Sequence, residues 1–176
     1  MNWLTKLIPS IGANNEPATP TSKVPDGLWN NCPACGTMIH HKDLNQNLRV
    51  CNTCNHHFRM TAEKRIEILF GKENFKEIEL KKIPDDPLNF VDKKKYTDRL
   101  RIARKITNQD DAVAISTGKV NNISVTVGAQ DFRFIGGSFG AASGEAFIHG
   151  IQHAIDNKNP FIFFSCSGGQ RMMESS

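Results

Sequence analysis

The sequence predicts a mixed α/β domain preceded by a small cysteine-rich module, and three observations carry that expectation. Between residues 112 and 127 apolar residues recur at every second position, as half-buried strands require. A stretch of helical spacing then leads into the apolar run Phe161-Ile-Phe-Phe164. Ahead of both stand two paired cysteines, Cys32 with Cys35 and Cys51 with Cys54, with fifteen residues between the pairs.

Composition narrows the class. The chain has 176 residues, 39% hydrophobic and 23% charged, which excludes wholly disordered sequence. No apolar run approaches the roughly 20 residues needed to cross a bilayer, so no membrane span is expected. The net charge of +4 does not by itself demand a nucleic-acid partner. Residues 61–111 carry thirteen Lys and Arg against eleven acids, whereas residues 112–176 balance four against four and hold most of the glycines. The middle of the chain therefore reads as solvated surface, and the last third as the place where backbone approaches closely.

Taken in order, residues 1–11 place Trp3, Leu7 and Ile11 at helical spacing, interrupted by Pro9. Residues 12–29 are small, polar and proline-bearing, the composition of a linker. The division expected is a tail and linker over 1–29, a cysteine ribbon over 30–58 and a larger domain over 59–176. Within the ribbon, Leu44 to Val50 suits a hairpin strand. Thr61 is a candidate N-cap for a helix with Ile66, Leu69 and Phe70 on one face and Gly71 at its stop. A basic helix follows, with Tyr96, Leu100 and Ala103 on its buried side. Val113, Ile115 and Thr117 then alternate, Asn121-Asn122 supplies residues tolerant of positive φ, and Ile123, Val125 and Val127 resume the alternation: a hairpin. A glycine turn at 136–140 precedes a helix opened by Ser143, with Phe147, Ile151, Ala154 and Ile155 on its buried stripe. Phe161–Phe164 reads as a buried strand, Ser167-Gly168-Gly169 as a second glycine turn, and Arg171 as the start of another helix, cut short as in a piece of a longer protein.

Two CxxC knuckles at this spacing supply four thiolates to one Zn²⁺ in a closed tetrahedron, so Cys32, Cys35, Cys51 and Cys54 are expected to hold one structural zinc. With no secretory signal in these residues, a reducing cytoplasmic setting is expected, where disulfides are improbable. His40, His41, His56 and His57 flank a set that is already complete and read as surface residues. The glycine turns leave several readings open. Gly136-Gly-Ser-Phe-Gly140 fits the GxSxG pattern of a nucleophile elbow with Ser138 as nucleophile, though the later histidines, His149 and His153, sit together on one helix. Alternatively, paired glycines at Gly168 and Gly169 let backbone N–H groups approach a developing oxyanion, helped by a helix N-terminus behind them. Both turns are equally readable as tight packing and nothing more.

The cysteine ribbon, Asp86-Pro-Leu-Asn-Phe90, Tyr96-Thr-Asp-Arg-Leu100, Asp131-Phe-Arg-Phe-Ile-Gly-Gly-Ser-Phe-Gly140 and Ser165-Cys-Ser-Gly-Gly-Gln-Arg-Met172 occur in this order. Together they resemble the carboxyltransferase beta subunits of bacterial-type acetyl-CoA carboxylase. The resemblance implies a crotonase-like ββα spiral, in a subunit longer than this chain. It implies transfer of a carboxyl group from carboxybiotin, on a biotin carboxyl carrier protein, to acetyl-CoA, giving malonyl-CoA for fatty acid synthesis. It implies two alpha and two beta subunits sharing the active site, with biotin carboxylase as a further partner. By the same resemblance Gly168 and Gly169 are the expected oxyanion hole, Gly136, Gly137 and Ser138 line the acyl-CoA pocket, and Arg133 lies near the CoA phosphates. Gln170, Met173, Ile135 and Phe139 depart from the residues usual in that family. The alternative is a zinc-ribbon protein that binds nucleic acid through the ribbon and the basic residues Arg99, Arg101, Arg104 and Lys105.

Overall fold

The computed structural model describes residues 27–174. The expectations for a helix over residues 1–11 and for most of the linker lie outside the described residues.

The ribbon begins with a two-stranded antiparallel pair, β1 (Trp29–Asn31) and β2 (Met38–His40). Leu44 to Val50 is not a strand. His41–Gln46 forms a short helix, α1, because the His40 ring accepts the Lys42 N–H at 3.2 Å and Leu44 turns inward onto Cys32, Ile39 and Cys51. Pairing resumes only as a single bridge between Val50 and His57.

Helix α2 (Ala62–Phe70) begins and ends as the sequence indicates. Thr61 Oγ1 accepts the Lys64 N–H at 3.1 Å, and Gly71 follows the last turn. A short strand, β3 (Phe75–Glu77), follows. Helix α3 (Tyr96–Thr107) buries Tyr96, Leu100 and Ala103 as expected.

Strands β4 (Val113–Val120) and β5 (Ile123–Gln130) pair antiparallel in full register, from Val113 opposite Gln130 to Val120 opposite Ile123. The connecting Asn121 and Asn122 have φ of 49° and 66°, the two positive values that a tight hairpin of the favoured twist needs. Helix α4 (Ala141–Asp156) crosses over to β6 (Phe161–Phe164), which lies parallel to β5. The larger sheet has the order β3-β4-β5-β6.

Both faces of this sheet are covered. Helix α2 packs Ala62, Ile66 and Phe70 onto Val125, Val127 and Ala129. On the other face Ala146 of α4 meets Val113 and Ile115, and the Phe147 ring sits edge-on to Phe163 with centroids 4.9 Å apart. Four details differ from expectation. Ser143 does not open α4: Gly140 is the cap, and Ser143 lies buried inside the first turn because its hydroxyl donates to Asp111. Ile155 is exposed, and β6 is an edge strand of half-buried residues with Ile162 facing outward. Residues 171–174 form a turn, not a helix, since Arg171 N–H is taken by the Phe139 carbonyl at 2.9 Å.

Candidate functional site

Topology brings the two glycine turns together. Because β5 and β6 run parallel, the segments leaving their C-terminal ends emerge at one edge of the sheet. The first, residues 131–140, passes through a single 3-10 turn at Ile135–Gly137. The second is Ser165 to Gln170.

These segments bond to each other. Gly168 N–H donates to the Gly136 carbonyl at 2.8 Å, Phe139 N–H to the Gly169 carbonyl at 2.9 Å, and Arg171 N–H to the Phe139 carbonyl at 2.9 Å. Buried Gln130, at the end of β5, spans both: its Nε2 donates to the Gly137 carbonyl at 3.1 Å and its Oε1 accepts Cys166 N–H at 3.0 Å. The approach is close enough that Gly137, at φ 63°, has no room for a side chain, for an added Cβ would overlap the Cys166 carbonyl oxygen.

The expectation that Gly168 and Gly169 both offer free amides is not met. Gly168 N–H is spent on Gly136, and Gly169 N–H is given to Ser167 Oγ at 3.0 Å. The two differ in how they are held. Gly168 is bonded to backbone, whereas the acceptor of Gly169 is an exposed, rotatable hydroxyl. Gly169 sits at φ 117° with open space where a Cβ would stand. No helix of the described residues begins behind this turn, so no helix dipole adds to it.

Gly136 also borders open space, but Gly137 and Ser138 face inward. Ser138 Oγ accepts from Arg171 Nε at 3.1 Å. A hydroxyl fixed by a guanidinium is not an activated nucleophile, and His153 is engaged elsewhere, with Thr126 at 3.0 Å. The nucleophile-elbow reading is therefore rejected.

A buried polar cluster that the sequence does not reveal lies behind the turns. The Arg171 side chain is fully buried and bonds the Asp111 carboxylate in fork fashion, Nη1 at 2.7 Å and Nη2 at 2.8 Å. Nη2 also donates to the Ser138 carbonyl at 2.8 Å, and Nη1 to Tyr96 Oη at 3.1 Å. Glu174 bonds Tyr96 and Arg171 through Oε1, and its Oε2 accepts Ala141 N–H at 2.5 Å, capping α4 where Gly140 cannot. Burial opposes the charge on Arg171, but Asp111 outweighs it and holds the pKa above its already high value. Burial, with Glu174 beside it, pushes the Tyr96 hydroxyl up. Removing one member of such a buried pair typically costs about 3–5 kcal/mol. The only hint in the sequence is a lone arginine in a stretch poor in charge.

Arg133 pairs with Asp131 at 2.6 Å and is half exposed. It stands with Lys93, Lys94 and Arg99 around a cleft of about 470 Å³ floored by Ile102 and Ile106, beside Ile135. Three arginines of α3, Arg99 among them, are ion-paired, and no ion pair involves Lys105 among the described residues. Arg104 is held by Asp85 at 2.6 Å, Arg101 by Asp98 at 3.1 Å, and Arg99 by Asp92.

In the ribbon the sulfurs of Cys32, Cys35, Cys51 and Cys54 all lie within 4.8 Å of one another. Cys32–Cys54 is 3.6 Å and Cys35–Cys51 is 3.7 Å. Sulfurs 2.3 Å from a tetrahedral centre stand about 3.8 Å apart, so the donor set fits Zn²⁺. Hydrogen bonds from Thr37 draw Cys35 down to about 6. A backbone hydrogen bond at His56 lowers Cys54, yet burial and the other sulfurs push it up to about 12. Four such thiols do not all ionise side by side unless a cation joins them. None of the flanking histidines belongs to the cluster.

Known proteins are similar over the whole described chain. Residues 29–54 match the acetyl-CoA carboxylase zinc finger domain, and residues 55–175 match the carboxyl transferase domain. The acetyl-coenzyme A carboxylase carboxyl transferase subunit beta of Xanthobacter autotrophicus is 42% identical over 175 residues, 99% of this chain and 58% of that protein. The corresponding subunit of Methylobacterium nodulans is 39% identical over 99% of this chain and 56% of its own length. The chain thus spans a little over half the length of these relatives. Among solved structures, transcarboxylase 12S with methylmalonyl-coenzyme A and methylmalonic acid bound superposes with a TM-score of 0.52 at 23% identity, over 66% of this chain and 21% of that one. That likeness identifies the fold as the crotonase-like one of carboxyl transferases.

Proposed function

Since the chain belongs to the carboxyl transferase domain family, in the branch that carries the acetyl-CoA carboxylase zinc finger, we propose that it serves as the beta subunit of an acetyl-CoA carboxylase carboxyltransferase. In this reading it moves the carboxyl group of carboxybiotin, presented by a biotin carboxyl carrier protein, to the methyl carbon of acetyl-CoA. The active site is completed by an alpha subunit in an assembly of two alpha and two beta chains, supplied by biotin carboxylase in the cytoplasm. Residues 1–29 are tail and linker, 30–58 the ribbon and 59–176 the opening part of the transferase domain.

The observation that carries the reading is the mutual bonding of the two glycine turns with Gly169 at their open edge. When carboxybiotin releases CO₂, the biotin anion takes a proton from the acetyl methyl group, and the carbanion, delocalised as a thioester enolate, attacks the CO₂. No protein base is required. What the protein must supply is hydrogen-bond donors for oxygen atoms that become negative, each worth about 3–4 kcal/mol. The Gly169 amide takes that role by exchanging the Ser167 hydroxyl for substrate oxygen. Gly168 serves by locking the turn to Gly136. Ile135 lines the basic cleft, and Gly136 beside it borders open space in which the acyl-CoA is received. Gly137 and Ser138 support this turn from inside. Arg133, with Lys93 and Lys94, receives the phosphates of CoA, and the isoleucines receive its apolar parts.

Zn²⁺ held by the four cysteines folds the ribbon and, being fully coordinated, performs no chemistry. The match of residues 55–175 to the carboxyl transferase domain favours this reading over a nucleic-acid-binding one. The test is malonyl-CoA formation from carboxybiotin and acetyl-CoA by the full-length subunit assembled with its alpha partner. Gly169→Val is expected to abolish turnover with assembly and zinc content intact, and normal turnover in that variant would remove Gly169 from the oxyanion site.

A further inference from the structure

The Arg171 side chain is fully buried, and the residue bonds three separate parts of the molecule: the first glycine turn, the segment leading into β4, and α3. Its backbone N–H joins the second glycine turn to Phe139 of the first at 2.9 Å. Its guanidinium grips the first turn again at Ser138, through the carbonyl at 2.8 Å and Oγ at 3.1 Å. The far edge of the same plane is fixed by Asp111, two residues before β4, and by Tyr96 of α3. Glu174, three residues on, reaches the first backbone N–H of α4. Three nitrogens in one rigid plane are thus all engaged, and the two turns cannot move apart without breaking several of these bonds together.

A buried ion pair is a poor device for stability alone, because well-packed apolar side chains of similar volume hold a core equally well or better. An apolar side chain could not orient the Ser138 peptide. Orientation is what an oxyanion donor needs, and a misplacement of about 1 Å costs up to about 10²-fold in rate.

We propose that Arg171 is a positioning residue for carboxyl transfer: through Asp111, Tyr96 and Ser138 it sets residues 136–140 and 167–170 as one preorganised unit, so that its loss lowers kcat and leaves the KM for acetyl-CoA nearly unchanged. This rests on the oxyanion reading of Gly169 given above.

The experiment uses the full-length subunit assembled with its alpha partner. Arg171→Lys keeps the charge opposite Asp111 but cannot reach Ser138 as well. The double variant Arg171→Met with Asp111→Leu removes both charges of the fork pair, and the remaining carboxylate, Glu174, keeps the Tyr96 hydroxyl and the Ala141 N–H as donors. Where the lysine variant fails to fold, the double variant decides. Both are expected to lose about 10- to 100-fold in kcat with KM for acetyl-CoA within about twofold. The amides of 136–140 and 167–171 are expected to exchange hydrogen at least about tenfold faster, while the ribbon and α2 exchange as before. Unchanged exchange in the folded double variant overturns the proposal, and so does an unchanged kcat, or a loss that lies wholly in KM. Faster exchange in a variant whose wild-type parent makes no malonyl-CoA would sustain the clamp while removing the carboxyl-transfer reading on which its purpose depends.

Discussion

Gly136 and Gly137 are adjacent, with φ of 68° and 63°, yet alanine at the two positions should behave very differently. Either substitution forces an L-residue into the left-handed region, at about 1–2 kcal/mol. At Gly136 that is the whole cost, because nothing lies within 4 Å of the added Cβ. At Gly137 the new carbon would stand inside the 3.0 Å at which something must shift, against the Cys166 carbonyl oxygen, and only 3.4 Å from Phe132 Cα. Both obstacles are backbone, so the second turn must retreat from the first. Overpacking of this kind costs about 1–3 kcal/mol, and loosening a hydrogen bond such as Gly168 to Gly136 adds about 1 kcal/mol. Gly137→Ala should thus destabilise by about 3–6 kcal/mol and Gly136→Ala by about 1–2 kcal/mol. Urea unfolding of the two zinc-loaded variants beside wild type measures the difference. Values within about 0.5 kcal/mol of each other would mean that the two turns do not press together as described.

Metal analysis of the wild-type chain should give one zinc per chain. Chelation or Cys54→Ser should open the small core of Ile39, Leu44 and Phe58 to hydrogen exchange, with α4 and the four-stranded sheet unaffected. Thr61→Ala should lower the urea midpoint by the equivalent of about 1 kcal/mol, and Thr61→Ser should restore most of it, because the Oγ1 bond to Lys64 N–H caps α2. Burial raises the pKa of Asp131, but hydrogen bonds and charge from Arg133 outweigh it and hold the carboxyl below the usual carboxylate range. Its stabilisation is therefore complete above about pH 4 and is lost as the pH falls through the lower folded value. Asp131→Asn should be less stable at neutral pH and should flatten the loss of stability as the pH falls below about 4, read by thermal melting.

Local rules reached far in this chain. The period-two alternation from Val113 to Val127 and the Asn121-Asn122 pair define a hairpin whose register the structure keeps throughout. The α2 cap at Thr61 and the buried stripe of α3 also needed only neighbours in sequence. Where local reading failed, a distant partner had intervened. Leu44 enters a helix because the ribbon core needs its side chain beside Cys32 and Cys51. Ser143 looks like a cap but belongs to Asp111, and Arg171 looks like a helix start but belongs to Phe139, Ser138 and Asp111. The Gly168 amide, expected to be free, found an acceptor in the neighbouring turn, and the Gly169 amide found one in its own.

The residues alone determined the ribbon with its four sulfur donors, the order of strand, strand, helix and strand, and the two glycine turns. Those features arise from spacing and backbone freedom within about twenty positions, and such interactions are written in the local pattern. Tertiary structure alone decided that the turns meet, that the amides of Phe139, Gly168 and Arg171 bond across them, and that the Arg171 side chain locks them. Each of these follows from β5 and β6 lying parallel, and the long-range pairing that sets that arrangement has no periodicity in the sequence from which it could be read.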